Sequence, residues 1–451
     1  MISISPIPIP DEVRTVLDTL QSNGCQSYLV GGCVRDSILN KQPKDYDICT
    51  RALPEQVKAL FPKVVDTGIK YGTVTVLTNG FPVEVTTFRK VVYNPDGARA
   101  TEIVYGTDAS EDVRKRDFTI NGLLFDGNQL IDYVGGESDL KNRIIRAIED
   151  PNDRFGEDPL RMMRAIRFRC QLGFEIEPAT LEAMDHLAKL AEKLSQERIR
   201  DEFNKILLSA YPDEGFRLLH QTGLLKQILP ELELCFGFQQ QNPYHTQDVF
   251  EHILNVVKNS PPELNIRWAA LFHDIGKPDT FSLDGNGIGH FYEHHLKSCD
   301  LAETILNRLK FDRKSIRQVT ILVREHMNLL KAMKRSALKR LINRVGAENC
   351  EALLKLQIAD VKRSEKTEEI AELLRVKASI RAILQEKEPL DLRELAINGD
   401  DLKALGIEPG KMMGRILRDL LEKVIDNPEL NTRERLLDMV ERNYQRREQS
   451  R

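Results

Sequence analysis

The residues with the most chemical promise lie between Tyr28 and Asp47, in the run YLVGGCVRDSILNKQPKDYD. A short apolar run leads into Gly31-Gly32, and an apolar-periodic segment carrying Arg35 and Asp36 follows, which reads as strand, glycine turn and helix start. Glycines there let backbone N–H groups approach a phosphate, and a helix N-terminus favours negative charge. Gly31, Gly32 and Arg35 are therefore candidates to cradle a triphosphate. In the next apolar run, Asp45 and Asp47 stand two apart and would share one face of a strand. Two carboxylates side by side repel unless a cation sits between them, and Mg²⁺ held by a few carboxylates plus substrate phosphates answers that need. Glu84, in the β-rich run FPVEVTTF, is a candidate third carboxylate.

Further along, Arg116 and Asp117 in KRDFTIN, with Asn121, suit contacts to triphosphate and ribose, the arginine supplying a planar fork. Asp158 and Arg161 stand three apart at the start of a helical stretch and would share its face. One offers only acceptors and the other only donors, so the pair can match the Watson–Crick edge of a base. Arg164, Arg167 and Arg169 would continue a basic helical face toward RNA. A second constellation places His252 in an apolar helical run, His273-Asp274 in LFHDIGKP, His294 in HFYEHHL and His326 in LVREHM. An adjacent His-Asp with further histidines downstream is good metal-ligand material.

These residues need elements to hold them. Residues 11–24 and 53–61 read as helices, and runs 72–77 and 81–88 around Asn79-Gly80 read as a β-hairpin. Residues 89–110, with Pro95, Gly97 and Gly106, read as a mobile loop. From Asp150 onward the period is helical, and 365–388 reads as a solvated helix. Glycine turns at 397–410 precede a last helix ending near Asn427 and suit contact with a phosphate backbone.

The chain of 451 residues is too long for one ordinary core, and two to four domains are expected. Charged residues at 30% and aromatics at 6% fit a helix-rich protein. No run of about eighteen apolar residues occurs, and no basic segment precedes the apolar N-terminal residues, so membrane-spanning and secretory readings fail. Seven scattered cysteines, never spaced CxxC, read as reduced thiols in a cytoplasmic protein. With a net charge of −4, nucleic-acid contact has to come from a local basic surface.

Taken together, GGxVRD followed by DxD, then VEVTTF, KRDFT, EDxxR and ERI…E resemble the tRNA nucleotidyltransferase and poly(A) polymerase family. LFHDIGKP with its flanking histidines resembles an HD phosphohydrolase domain, and the 397–410 segment resembles the tail of bacterial tRNA nucleotidyltransferases. The resemblance implies an α+β fold: a small polymerase-β-like head followed by a long all-α region. It implies a catalytic head over 1–140, a neck with nucleotide-selecting helices over 141–205 and a body over 206–244. An HD metal-binding domain over 245–335 and a tRNA-binding tail over 336–451 complete it. Two Mg²⁺ at Asp45 and Asp47 would serve transfer of CMP, CMP and AMP from CTP and ATP to a tRNA 3′ end, with Asp158 and Arg161 choosing the base. His252, His273, Asp274, His294 and His326 would bind one or two further divalent ions, with His295 able to replace His294 and Asp300 as an added ligand. ERI…E is read as a helix buttress. Lys115 stands where relatives have arginine, and Ala98-Arg99-Ala100 stands where many have Arg-Arg-Pro. That second departure leaves open an enzyme adding only the final A, while a loop of this length argues against the other partial enzyme, one adding only CC. A poly(A) polymerase would share the head motifs, and an HD phosphohydrolase or RNA-binding protein with an inactive head would share the rest.

Overall fold

The computed structural model describes residues 7–93, 100–106, 108–241, 247–327, 333–362, 367–386 and 388–442. The chain divides into two compact units, Met1–Glu233 and Leu234–Arg451. No helix among the described residues is long and apolar enough to cross a membrane.

The first unit opens with α1 (Asp11–Ser22), whose Val13, Val16, Leu17 and Leu20 recur at helical spacing and are fully buried. Nine strands follow: β1 (Ser27–Val30), β2 (Asp47–Thr50), β3 (Val64–Gly68), β4 (Thr73–Thr78), β5 (Phe81–Thr87), β6 (Arg89–Tyr93), β7 (Ala100–Tyr105), β8 (Leu124–Phe125) and β9 (Leu130–Ile131). Between them lie α2 (Gly32–Ile38), α3 (Pro54–Leu60) and α4 (Ala109–Arg114). Seven strands form one sheet in the order β3-β4-β5-β2-β1-β8-β9. Asn79 and Gly80 both take positive φ, as a two-residue turn between β4 and β5 demands.

Two registers matter for the site. β1 runs antiparallel to β2 with Val30 opposite Asp47, and β5 runs parallel to β2 with Glu84 opposite Asp47. The Gly31 turn, Asp47 and Glu84 therefore gather at one end of the sheet. The stretch expected to be a loop instead contains a strand pair, with β6 and β7 antiparallel from Arg89↔Tyr105 to Tyr93↔Ala100. Pro95 and Gly97, in the sequence between them, hid the β-branched strands on either side; residues 94–99 and 107, including Ala98 and Arg99, lie outside the described residues.

The rest of the unit is helical apart from two short parallel strands, β10 (Ile144–Ile145) and β11 (Glu175–Ile176). Its helices are α5 (Gly136–Asn142), α6 (Pro151–Glu157), α7 (Leu160–Leu172), α8 (Pro178–Leu187), α9 (Gln196–Leu207), α10 (Pro212–Gln221), α11 (Leu224–Ile228) and α12 (Pro230–Glu233). α7 and α10 pack so closely that a Cβ on Gly215 would stand 2.7 Å from Cys170 Sγ.

The second unit contains α13 (Val249–Asn259), α14 (Leu264–Phe272), the hairpin β12 (Phe281–Leu283) and β13 (Gly289–Phe291), α15 (His294–Arg308) and α16 (Arg313–Glu325). Then come α17 (Arg335–Val345), α18 (Ala347–Lys362), α19 (Thr367–Gln385), α20 (Gly399–Ala404), α21 (Lys411–Asp426) and α22 (Arg433–Val440). α19 is not the solvated helix expected, because Leu373, Val376, Ile380 and Ile383 form a buried stripe. Leu402, Ile416, Leu420, Val424, Leu436 and Val440 give the last helices a core of their own.

Candidate nucleotide cleft and metal cluster

A cleft of about 340 Å³ in the first unit is lined by Asp47 and Glu84 from the sheet, Asp112, Lys115, Arg116 and Asp117 from α4 and its exit, Asp158, Arg161 and Arg164 from the α6–α7 corner, and Arg198 from α9. Its size lies within the range of small-molecule sites. Asp47 sits at the end of β2 opposite Glu84, half-buried. Burial, with the charges of Glu84 and Asp45, pushes its carboxyl up to about 6 against the pull of Arg116. Asp45 is not on the strand, since β2 begins at Asp47; it lies exposed in the preceding bend, near enough to act on Asp47 electrostatically. Mutually repelling carboxylate oxygens of this kind fit a hard divalent cation.

Gly31 has φ +80 and caps the start of α2; a Cβ there would lie 3.7 Å from both Arg116 Nη1 and Asp47 Oδ2. Gly32 is the first residue of α2. Arg116 is steadied by Asp112, whose Oδ2 accepts from its Nη2 at 3.1 Å. Asp117 is buried, which alone would raise its carboxyl. Arg164, joined by Asn121 and the Phe118 N–H, instead holds it well below the usual range.

Of the residues expected to touch nucleotide, Gly31 and Gly32 are not among those lining the cleft, and three expected side chains do not line it either. Arg35 is buried, donating to Asn121 Oδ1 at 2.6 Å and Asp36 Oδ1 at 2.8 Å. Asn121 is the other half of that bond and also donates to Asp117. Arg167 is buried against Glu202 at 3.0 Å. The guanidiniums of Arg35, Arg164 and Arg167 all pack on the ring of Phe168, at 4.4 to 5.6 Å. Arg169 pairs with Glu175 and Glu214, so α7 presents no continuous basic face. These arginines brace the helix and position Asp117 and Arg164.

The Asp158/Arg161 pair also differs from the sequence expectation. Asp158 ends α6 with extended backbone, and α7 starts only at Leu160, so the two do not share a helical face. Arg161 donates to Arg154 O, Glu157 Oε2 and Lys115 O at 2.9–3.1 Å, while Asp158 Oδ2 accepts from Arg198 Nη2 at 2.7 Å. Both residues nonetheless line the cleft. Sequence reasoning missed Arg198 as a cleft residue because ERI…E looked structural, and missed Asp112, whose i,i+4 spacing from Arg116 was the available signal.

In the second unit, His252 (α13), His273 and Asp274 (after α14), His294 (α15) and His326 (after α16) converge. They form two triads of ligand atoms, His252/His273/Asp274 and Asp274/His294/His326, each within 4.8 Å and fully buried. The Asp274 carboxylate splits between them: Oδ2 lies 2.9 Å from His252 Nε2 and 3.3 Å from His273 Nε2, and Oδ1 lies 3.1 Å from His294 Nε2 and 3.6 Å from His326 Nε2. His273, His294 and His326 each turn Nδ1 to a backbone carbonyl, of Ala270, Phe291 and Val323. That fixes the tautomer and leaves Nε2 as a lone pair facing inward. The buried Nε2 atoms of His294 and His326 make no hydrogen bond, and His252 and His273 face each other Nε2 to Nε2 at 3.0 Å. Orphaned lone pairs of this sort fit divalent ions. Burial would raise Asp274, but His273, Lys277 and His252 hold it well below the usual carboxylate range. Burial lowers His252 and His326, which favours the neutral imidazole a metal needs, whereas at His273 the opposing burial is outweighed by the Asp274 charge, which raises it. Asp300 is exposed on α15 and outside the cluster; Asp360, on α18, is the added acid, 3.4 Å from His252 Nε2. His295 is half-buried beside His294 and outside both triads.

Comparison with known proteins places the chain in a family. Residues 27–146 match the family model "Poly A polymerase head domain", 173–235 match "Probable RNA and SrmB- binding site of polymerase A", and 294–440 match the second domain of tRNA nucleotidyltransferase. A CCA-adding enzyme of Levilactobacillus brevis is 33% identical over 424 residues, spanning 92% of this chain and 94% of that one. The structure of Bacillus stearothermophilus CCA-adding enzyme in complex with CTP superposes with a TM-score of 0.74 at 26% identity, over 97% of this chain and 98% of that one. Thermotoga maritima CCA-adding enzyme complexed with tRNA shares the fold at a TM-score of 0.56 and 20% identity, over 96% of each chain. From the glycine turn beside Asp47 to the last helices, the chain belongs to the CCA-adding enzyme family, with a poly(A) polymerase head domain at its start.

Proposed function

We propose that this protein adds CMP, CMP and AMP to tRNA 3′ ends from CTP and ATP, with the head cleft as the site of transfer. The observation that carries the reading is the convergence of Asp47 and Glu84 with a ring of basic side chains and the Asp158–Arg198 pair in one cleft. Asp47, Asp45 and Glu84 would hold divalent cations, Mg²⁺ by their hard oxygen donors, which when bound activate the attacking hydroxyl and neutralise the leaving pyrophosphate. The chain's own groups do the rest. Arg116, held by Asp112, and Lys115 and Arg164 bring positive charge to the triphosphate. Gly31 keeps backbone close to it. Asp158 with Arg161 and Arg198 offers acceptors and donors for a base edge, so selection needs no template strand.

The five-segment division of the chain, with the HD cluster as a separate site for one or two divalent ions, belongs to the same proposal. The split of Asp274 into one oxygen per histidine pair supports two ions rather than one. Seven free cysteines, six of them buried, suit work in the cytoplasm. The test is incubation of the protein with tRNA ending before CCA, after C and after CC, with each nucleotide separately. Extension of all three by the expected residue supports the reading. Extension of only one end type, or long A tails on generic RNA, replaces it with one of the narrower activities.

A further inference from the structure

We infer that a cavity of about 450 Å³ between α15, α16 and the α17–α18 corner binds a small phosphorylated sugar. Lys314, Arg317 and Arg324 hold its phosphate and Glu303 accepts from a hydroxyl. The site lies wholly within the second unit and shares no residue with the head cleft or the histidine cluster.

The first twelve residues of α16, RKSIRQVTILVR, carry four cations and no acid, in a chain whose net charge is −4. That pattern runs against local electrostatics. Arg313 and Lys314 stand in the first turn, where the helix dipole favours negative charge. Arg317 follows at i+4 and i+3, where like charges repel. The acids on either side are already engaged. Asp312 caps the helix, its Oδ1 accepting from the N–H groups of Lys314 and Ser315 and its Oδ2 from Ser315 Oγ. Glu325 is buried and accepts from Arg344 at 2.8 Å. Among the described residues, none of Arg313, Lys314, Arg317 and Arg324 forms an ion pair. An anion from outside relieves the repulsion.

Three of these cations meet in one hollow. Lys314, Arg317 and Arg324 are spread over about 15 Å of helix axis, yet all line the same cavity, whose volume suits a small molecule. Arg317 is steadied by its Nε, which donates to Arg313 O at 3.2 Å. Arg324 donates from Nη2 to the buried Cys299 Sγ at 3.5 Å, a weak acceptor. Burial pushes that thiol up, so it stays neutral and leaves the guanidinium charge uncancelled. Two acids also line the cavity, and they differ. Glu348 sits in the first turn of α18, where its charge suits the dipole, with both carboxylate oxygens 2.9 Å from where a Cβ on Gly346 would stand. Glu303 is exposed on α15 and forms no ion pair among the described residues. It would repel a bare phosphate, but it accepts from a ligand that also carries a hydroxyl. Cations beside an acceptor therefore select a sugar phosphate over the inorganic ion.

The test is calorimetric titration of the full-length protein, in EDTA, with ribose 5-phosphate and separately with inorganic phosphate. Wild type should bind the sugar phosphate at one site and more tightly than the inorganic ion. Arg317→Ala and Arg324→Ala should each weaken it about tenfold. Without ligand neither variant should lower Tm, since the charge removed has no ion-pair partner to lose. Glu303→Ala should split the two ligands, tightening inorganic phosphate and weakening ribose 5-phosphate. No saturable binding of ribose 5-phosphate by wild type, or binding unchanged in both arginine variants, would overturn the site. Glu303→Ala tightening both ligands would overturn the hydroxyl contact. A short RNA duplex distinguishes the other source of phosphate. Duplex binding weakened in the arginine variants, with ribose 5-phosphate unaffected, would assign this face to an RNA backbone and overturn the small-molecule site. Loss of ribose 5-phosphate binding with duplex binding unchanged supports it.

Discussion

Replacing Arg164 by Ala should destabilise the first unit more than any exposed arginine replacement. Asp117 is buried and ionised, with Arg164 Nε 2.7 Å from Oδ2 and only Asn121 and the Phe118 N–H on the other oxygen. Breaking a buried pair from one side costs about 3–5 kcal/mol. Arg164 keeps a third of its side chain exposed, so water replaces part of the loss and about 2–3 kcal/mol remains. For a unit of this size that is roughly a 4–12 °C fall in Tm. The sign with pH follows from the depressed carboxyl: the pair stabilises above the ordinary aspartate value of about 4, and that contribution is lost as pH falls toward the lower folded value. The gap between wild type and Arg164→Ala, followed by calorimetry, should therefore be full at pH 7 and shrink below about pH 4. Arg164→Ala with Asp117→Asn should recover part of the loss, because no uncompensated charge is left buried. A gap that is constant from pH 7 to 3, or a double variant no better than the single, would refute the reasoning.

Arg198→Ala should raise KM for both CTP and ATP roughly tenfold, about 1.4 kcal/mol, by removing the partner of Asp158 in the cleft; unchanged KM in steady-state assays would show the pair to be ornamental. Gly31→Ala should reduce nucleotide affinity measured by calorimetric titration, because φ +80 strains alanine by about 1 kcal/mol and its methyl, in contact with Arg116 and Asp47, would occupy space a phosphate needs; affinity equal to wild type would count against a close phosphate approach. His326→Ala should lower bound Mn²⁺ by one ion per chain while His252→Ala removes the other, read by elemental analysis; one ion in the wild type would reject the split-carboxylate account.

Much of the head was legible because its signals are local. A glycine turn between apolar runs, alternation through VEVTTF and the Asn79-Gly80 turn suffice to put Glu84 near Asp47, and the parallel register of β2 and β5 does so. What stayed hidden depends on partners far along the chain. Arg35, Asn121 and Arg167 have the donors and acceptors of nucleotide contacts, but Arg35 and Asn121 take each other, and Glu202 and the ring of Phe168 take Arg167, which no spacing shows. Asp158 looked helical because Pro159 is welcome in a first turn; the helix in fact begins after it. Asp360 lies 86 residues beyond Asp274, on a helix whose pattern gives no hint of it, and only packing of α18 on α13 brings it to His252. His252, by contrast, was readable only together with the His-Asp pair, since alone it resembles any buried core histidine.

The most direct measurement is incorporation of labelled CMP into tRNA lacking CCA by wild type and by Asp47→Ala, with tRNA binding followed separately. Wild type should add two C and, with ATP, one A; Asp47→Ala should lose incorporation by about a thousandfold or more, roughly 4 kcal/mol, while binding tRNA as before. CMP transfer by Asp47→Ala at the wild-type rate would mean that the acids at the end of this sheet are not where transfer occurs.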